Sequence, residues 1–379
     1  MTHHRLSRRG TLLGALALAG CQTTAMDLSG TGTVAGASSG TGKPAALLSA
    51  NKADQPMGQV VQALIDLGAK PVSTLSVEQA RRQPSMADAA RRVMQQKDMP
   101  TTPRPVAQVL DLMIPGPKGR IPARLYNPGG AGRERLPLIV YWHGGGWVIA
   151  DLDTYDASAR ALAAETGAIV LSCHYRQAPE HKFPAAHDDA LAAYAWAVGH
   201  AERLGADRQR VAVAGESAGG NLAIATALGA RDQRMPMPAH MLLVYPVAGT
   251  DTRTPSYLEN TAAVPLGRAD ILWFVDKLTR SPLDLQDPRL DVIGKADLRG
   301  LPPATIINAG IDPLRSDGEM LAQKLQAAGV AAEQRTWPGA THEFFGLAPV
   351  VPDAVEAQRL AATRLRAALG LGATPLAGL

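Results

Sequence analysis

Two cysteines, Cys21 and Cys173, stand in 379 residues, so no disulfide framework can be built. A cationic stripe is missing as well. The formal net charge is +4, and Arg5, Arg8 and Arg9, with no acid among residues 1–20, supply most of it. The rest of the chain is close to neutral, which argues against a nucleic-acid partner. The histidines show no spacing with cysteine or carboxylates that would hold a metal. His174, His181, His187, His200 and His240 read as structural or surface residues, and Cys173 as a core thiol. No internal repeat is present, which excludes solenoids and propellers. What remains is ordinary: 46% hydrophobic and 19% charged residues suit one large domain with an insertion, or two modest ones.

The first 54 residues read as targeting and tether. Residues 1–9 are basic, Leu12–Ala19 is apolar but too short to span a bilayer as a helix, and Leu18-Ala19-Gly20-Cys21 follows. That order resembles a bacterial lipobox, which implies a signal peptide over 1–20 and acylation of Cys21 as a membrane anchor. Ser7-Arg8-Arg9 before Thr11-Leu12-Leu13 also resembles a twin-arginine export signal. Residues 28–46 are rich in Gly, Ser and Thr, so 21–54 is expected to be a flexible tether to an exported, membrane-held domain.

Beyond the tether, Met57, Val60, Val61, Leu64 and Leu67 recur at helical spacing, and Ser76 stands as a possible N-cap of a second helix. Residues 55–100 are therefore expected to be helical. From about 106 the period becomes two. Val106–Pro115 and Arg120–Asn127 read as paired strands about a 116–119 turn. Buried strands are predicted at Leu136–Trp142, Ala168–Cys173, Arg210–Ala214, Met241–Tyr245, Pro303–Asn308 and Ala332–Thr336. Helices are predicted at 156–166, 187–203, 217–230, 317–328 and 354–369. This alternation predicts an α/β fold with a mostly parallel sheet covered on both faces, within a domain spanning 101–379. Residues 250–290 break it, and Ile271-Leu272-Trp273-Phe274 is apolar enough there to pack over something.

Four pieces carry chemistry. Gly215-Glu216-Ser217-Ala218-Gly219 is a G-x-S-x-G pattern between a predicted strand and helix, the context in which a sharp turn exposes a serine nucleophile. His143-Gly144-Gly145-Gly146-Trp147 follows an earlier strand, where glycine-lined backbone N–H groups can face a developing oxyanion. The expected donors are Gly145, Gly146 and the amide of Ala218, with His143 as a brace of the loop. Asp312 and His342 each follow a predicted strand, downstream of the serine and in the order Ser, Asp, His. His342 is then the base and Asp312 its orienting acid, with Asp317 as the rival acid.

Together, His143–Trp147, Gly215–Gly220, Asp312-Pro313-Leu314-Arg315, His342-Glu343 and the block Tyr175-Arg176-Gln177-Ala178-Pro179-Glu180-His181 resemble the bacterial hormone-sensitive-lipase family of esterases over roughly residues 55–370. The resemblance implies an α/β-hydrolase fold, a cap from 55–97 and 250–280 over an acyl pocket, and bracing of the site by the 175–181 block. It also implies hydrolysis of short- to medium-chain esters through an acyl-enzyme, without metal or cofactor. Glu216 stands where the family has Asp or Thr, and Ser316 where it often has an acid. Competing expectations are amide, carbamate or lactone hydrolysis on the same triad, a membrane lipase for long chains, or a non-catalytic binding protein. Retention of Ser217, Asp312 and His342 argues against the last.

Overall fold

The computed structural model describes residues 52–130 and 134–372. The expected signal peptide, Cys21 and the 28–46 segment lie outside the described residues. Eight strands form one sheet in the order β1-β2-β4-β3-β5-β6-β7-β8. These are β1 (Gln108–Gly116), β2 (Gly119–Asn127), β3 (Leu136–Trp142), β4 (Ile169–Cys173), β5 (Ala206–Glu216), β6 (Met241–Val244), β7 (Ala304–Ile311) and β8 (Ala332–Thr341). The β1–β2 hairpin closes at Gly116 and Gly119, and β2 meets β4 antiparallel. Every later pairing is parallel.

The central strands read as unbroken apolar runs because both of their faces are covered. Their period of two is visible in the packing. Leu138, Val140 and Trp142 of β3 enter one core, while Ile139 and Tyr141 enter the other. Helices α5 (Ala185–His200), α6 (Ala218–Asp232) and α10 (Arg315–Ala327) contribute to the first core. Helices α1 (Gln55–Asp66), α3 (Met86–Gln96), α4 (Asp156–Thr166) and α11 (Pro352–Ala368) contribute to the second.

The N-terminal helices start where their sequence says they should. Asp54 caps α1 by accepting the Met57 N–H, and Ser76 with Gln79 makes a capping box for α2 (Val77–Arg82). Ser85 and Asp88 do the same for α3. Met57, Val60, Val61 and Leu64 are buried, whereas Leu67 lies just past the helix and is exposed.

Residues 250–290 form α7 (Pro255–Glu259), α8 (Arg268–Leu278) and a 3-10 turn at Pro282–Gln286, followed by α9 (Val292–Lys295). Tyr257, Leu266, Ile271, Phe274 and Leu278 join the first core. No helix among the described residues is long and apolar enough to cross a membrane.

Candidate active site

Strands β5, β7 and β8 run parallel and end at Glu216, Ile311 and Thr341, so Ser217, Asp312 and His342 emerge from the same edge of the sheet. Ser217 sits at φ 57°, ψ −119°, a left-handed conformation that a non-glycine residue adopts only when its surroundings enforce it. The enforcement is steric. A Cβ at Gly215 would lie 2.1 Å from the Gly219 carbonyl oxygen, and one at Gly219 would lie 2.1 Å from that of Trp142. The elbow is further tied by the Ser217 N–H donating to Val244 O at 2.9 Å.

Three side chains form a relay. His342 Nε2 lies 3.0 Å from Ser217 Oγ, and His342 Nδ1 lies 2.7 Å from Asp312 Oδ2. The second contact selects the tautomer that leaves Nε2 free to accept from the serine hydroxyl. Asp312 Oδ1 takes the Leu314 N–H at 2.9 Å, which fixes the carboxylate plane. Burial alone would lower the pKa of His342. The charge and hydrogen bond of Asp312, with Glu343 and Glu216 behind them, outweigh it and raise the pKa above 6.5. Asp317 lies elsewhere: its carboxylate accepts the amides of Ala248 and Gly249.

Gly145 and Gly146 take φ of 97° and 57°. A Cβ on Gly145 would lie 2.2 Å from Ile149 O, and one on Gly146 2.3 Å from the Phe274 ring. Both glycines, Ser217, His342 and Glu343 line one cavity. Among the described residues, no protein acceptor takes the N–H of Gly145, Gly146 or Ala218. These are the three groups that the sequence singles out as oxyanion donors.

The loop that carries Gly145 and Gly146 is held from several sides. His143 is fully buried, with Nδ1 2.7 Å from Gly144 O and Nε2 2.9 Å from His174 Nδ1. Burial, then the neighbouring His174, pushes its pKa down to about 3, so it stays neutral and structural. The 175–181 block supplies the rest. Tyr175 donates to His143 O and Gly144 O, Gln177 to Ile149 O and Ala150 O, and the Ala178 N–H to Trp147 O. Arg81 on α2 adds bonds to Val148 O and Ala178 O.

Glu216 is buried and accepts hydroxyl hydrogen bonds from Tyr141 and Tyr245. Burial raises its pKa, while those hydroxyls pull the other way. The Tyr245 ring packs 4.5 Å from the His342 imidazole, and Tyr155 donates to Glu343 at 3.0 Å. Sequence reasoning missed Arg81, Tyr155 and Tyr245 as parts of the site, whereas Phe274, expected either to line an acyl channel or to be plain cap core, does line the cavity.

The cavity holds about 640 Å³, within the range of small-molecule pockets. Its lining comes from residues within Leu64–Met86 and Val247–Leu290, together with Gly145, Gly146, Ser217 and His342. Residues 139–346 match the model of the α/β-hydrolase fold family. The chain belongs to that family. It is 45% identical over 245 residues to the carboxylic ester hydrolase LipN of Mycobacterium tuberculosis, a match spanning 63% of this chain and 65% of LipN. It is 32% identical to the ethyl acetate hydrolase of Pseudomonas putida, across 82% of this chain and 94% of that protein. The structure of the hyperthermophilic esterase from Pyrobaculum calidifontis superposes with a TM-score of 0.73 at 37% identity, covering 81% of this chain and 96% of that one.

Proposed function

We propose that this α/β hydrolase is a serine carboxylesterase that cleaves short- to medium-chain acyl esters through an acyl-enzyme. The observation that carries the reading is the buried Ser217–His342–Asp312 relay opening into an apolar cavity beside three backbone N–H groups that have no protein partner among the described residues. Ser217 Oγ attacks the ester carbonyl as its proton passes to His342 Nε2. The carbonyl oxygen becomes an oxyanion against Gly145, Gly146 and Ala218. Collapse breaks the C–O bond, and the imidazolium returns the proton to the departing alcohol. Water then attacks the acyl-enzyme with His342 again as base, releasing the carboxylic acid and restoring Ser217. Throughout, Asp312 holds the tautomer and stabilises the imidazolium.

The short- to medium-chain preference is supported by the size of the cavity and by relatives such as the ethyl acetate hydrolase. Helices in 55–100 and 250–290 act as a cap, a role supported by the share of the cavity wall that they provide. The lipobox-like run ending at Cys21 supports an exported lipoprotein facing the periplasm or the cell exterior. Cys21→Ser is expected to move the protein from the membrane to the soluble fraction; unchanged fractionation and gel mobility would remove the anchor from the proposal.

The activity is tested with p-nitrophenyl esters from acetate to palmitate, beside Ser217→Ala. Turnover that peaks at short chains and vanishes in the variant is expected. No turnover at any length by folded protein would point instead to an amide, carbamate or lactone substrate, or to a binding role.

A further inference from the structure

The turn that carries Asp312 runs directly into α10, and the first residues of α10 are stitched to the segment that leaves β6. Ser316 and Ser256 exchange reciprocal backbone-to-hydroxyl bonds at 3.2 and 3.0 Å, and Asn260 donates to Asp312 O at 3.2 Å. Ser256 Oγ also donates to Pro313 O, and Arg315 pairs with Glu259 of α7 at the partly exposed rim. A buried carboxylate makes a further link: Asp317 Oδ2 accepts the consecutive N–H groups of Ala248 and Gly249, each at 2.9 Å. The neighbouring Val247 N–H donates to Ser217 O at 3.2 Å, and Ile293 N–H donates to Ala248 O at 2.9 Å. Val247 and Gly249 also line the cavity. Asp317 thus joins a loop bonded to the nucleophile with the turn that bears the acid.

We propose that Asp317 is a positioning residue whose ionised carboxylate latches the 247–249 loop to the Asp312 turn, so that its protonation weakens the alignment of Ser217 with His342. The inference rests on the esterase reading of the site. Asp317 is buried and makes no ion pair among the described residues. The groups that face it are Asp312 from the preceding turn, Asp291 at the N-cap of α9 and the Tyr257 hydroxyl from α7, none of them a cation. Burial pushes its pKa up to about 7, with the two amides opposing the shift and Asp312 and Asp291 adding to it. The carboxylate that accepts both amides is therefore lost as pH falls through neutrality, and His342, whose pKa is also raised, takes up its own proton on the acid side. Two protonations, not one, switch the enzyme off on the acid side.

The test is the pH dependence of kcat/KM for p-nitrophenyl butyrate with the full chain, beside Asp317→Asn and Ser217→Ala. The wild-type acid limb is expected to steepen toward two protons. Asp317→Asn is expected to give a one-proton limb and, at alkaline pH, a kcat lower by about tenfold with KM little changed, the size of one charge-assisted hydrogen bond. Asp317→Glu is expected to restore the steep limb. A one-proton limb in the wild type overturns the proposal, and does so even where Asp317→Asn fails to fold. A variant profile that superimposes on the wild type overturns it too. Turnover that survives Ser217→Ala would instead overturn the esterase reading, so the two failures are distinguishable.

Discussion

The nucleophile elbow and the 250–290 segment line the same cavity and are built by different rules. At the elbow, glycines touch backbone: added Cβ atoms at 215 and 219 would meet carbonyl groups at 2.1 Å, and no rotamer can relieve that. In the covering segment, Phe274 meets Gly146 with its ring, and Leu258, Leu272 and Leu283 even face solvent. Backbone contacts fix the chemistry and tolerate nothing; side-chain contacts set the space for substrate and tolerate exchange. The oxyanion loop belongs to both regimes, since Gly146 is crowded by the ring of Phe274 from the covering segment.

Substitutions at graded distance from the elbow test this contrast. Ser217→Ala is expected to lower kcat by roughly 10⁴-fold or more while the fold persists, checked by active-site titration and circular dichroism. Asp312→Asn is expected to cost roughly 10²- to 10⁴-fold through the wrong imidazole tautomer. If Asp317→Asn proved the more damaging of the two, the acid would be misassigned. Gly146→Ala combines a left-handed φ with a clash on Phe274 and is expected to lower kcat about a hundredfold, the scale of one oxyanion donor. The pH profile comes next. Because the pKa of His342 is raised and the base must be neutral, activity is expected to fall as pH drops through a midpoint above 6.5. Phe274→Ala, on the tolerant side, is expected to retain turnover and shift the ratio of kcat/KM toward branched acyl groups only several-fold, measured with pivalate against acetate esters. A loss there as large as that of Gly146→Ala would break the distinction.

Much of this architecture is legible in the sequence because it is local. The parallel strands announce themselves as apolar runs, and the caps at Ser76 and Ser85 use the N3 partners that helix starts require. The expected end of β8 at Thr336 falls short, since the strand continues to Thr341 through Pro338 and Gly339. Proline is tolerated there because β8 lies at the sheet edge, where one side of the strand has no ladder to lose. The helix expected at 187–203 starts at Ala185 and gives way after His200 to a 3-10 turn over Ala201–Leu204. What no local pattern carries is pairing at distance. The links of Arg81 to Val148 O, Tyr155 to Glu343 and Phe274 to Gly146 join residues far apart in the chain, and each looks like an ordinary helix or loop residue by itself.

The placement of α1 to α3 decides where the polypeptide can be cut. The sequence suggests a seam near residue 101, between helices and sheet. Yet Met57, Val60, Val61, Met86, Ala89 and Val93 share one core with Ile139, Tyr141 and Val244, and Arg81 donates to Val148 O and Ala178 O. A chain begun at residue 101 would expose the part of that core covered by α1 and α3 and leave Val148 O and Ala178 O without those donors. The smallest severable unit therefore starts near Asp54, and shorter versions are expected to be recovered as aggregates.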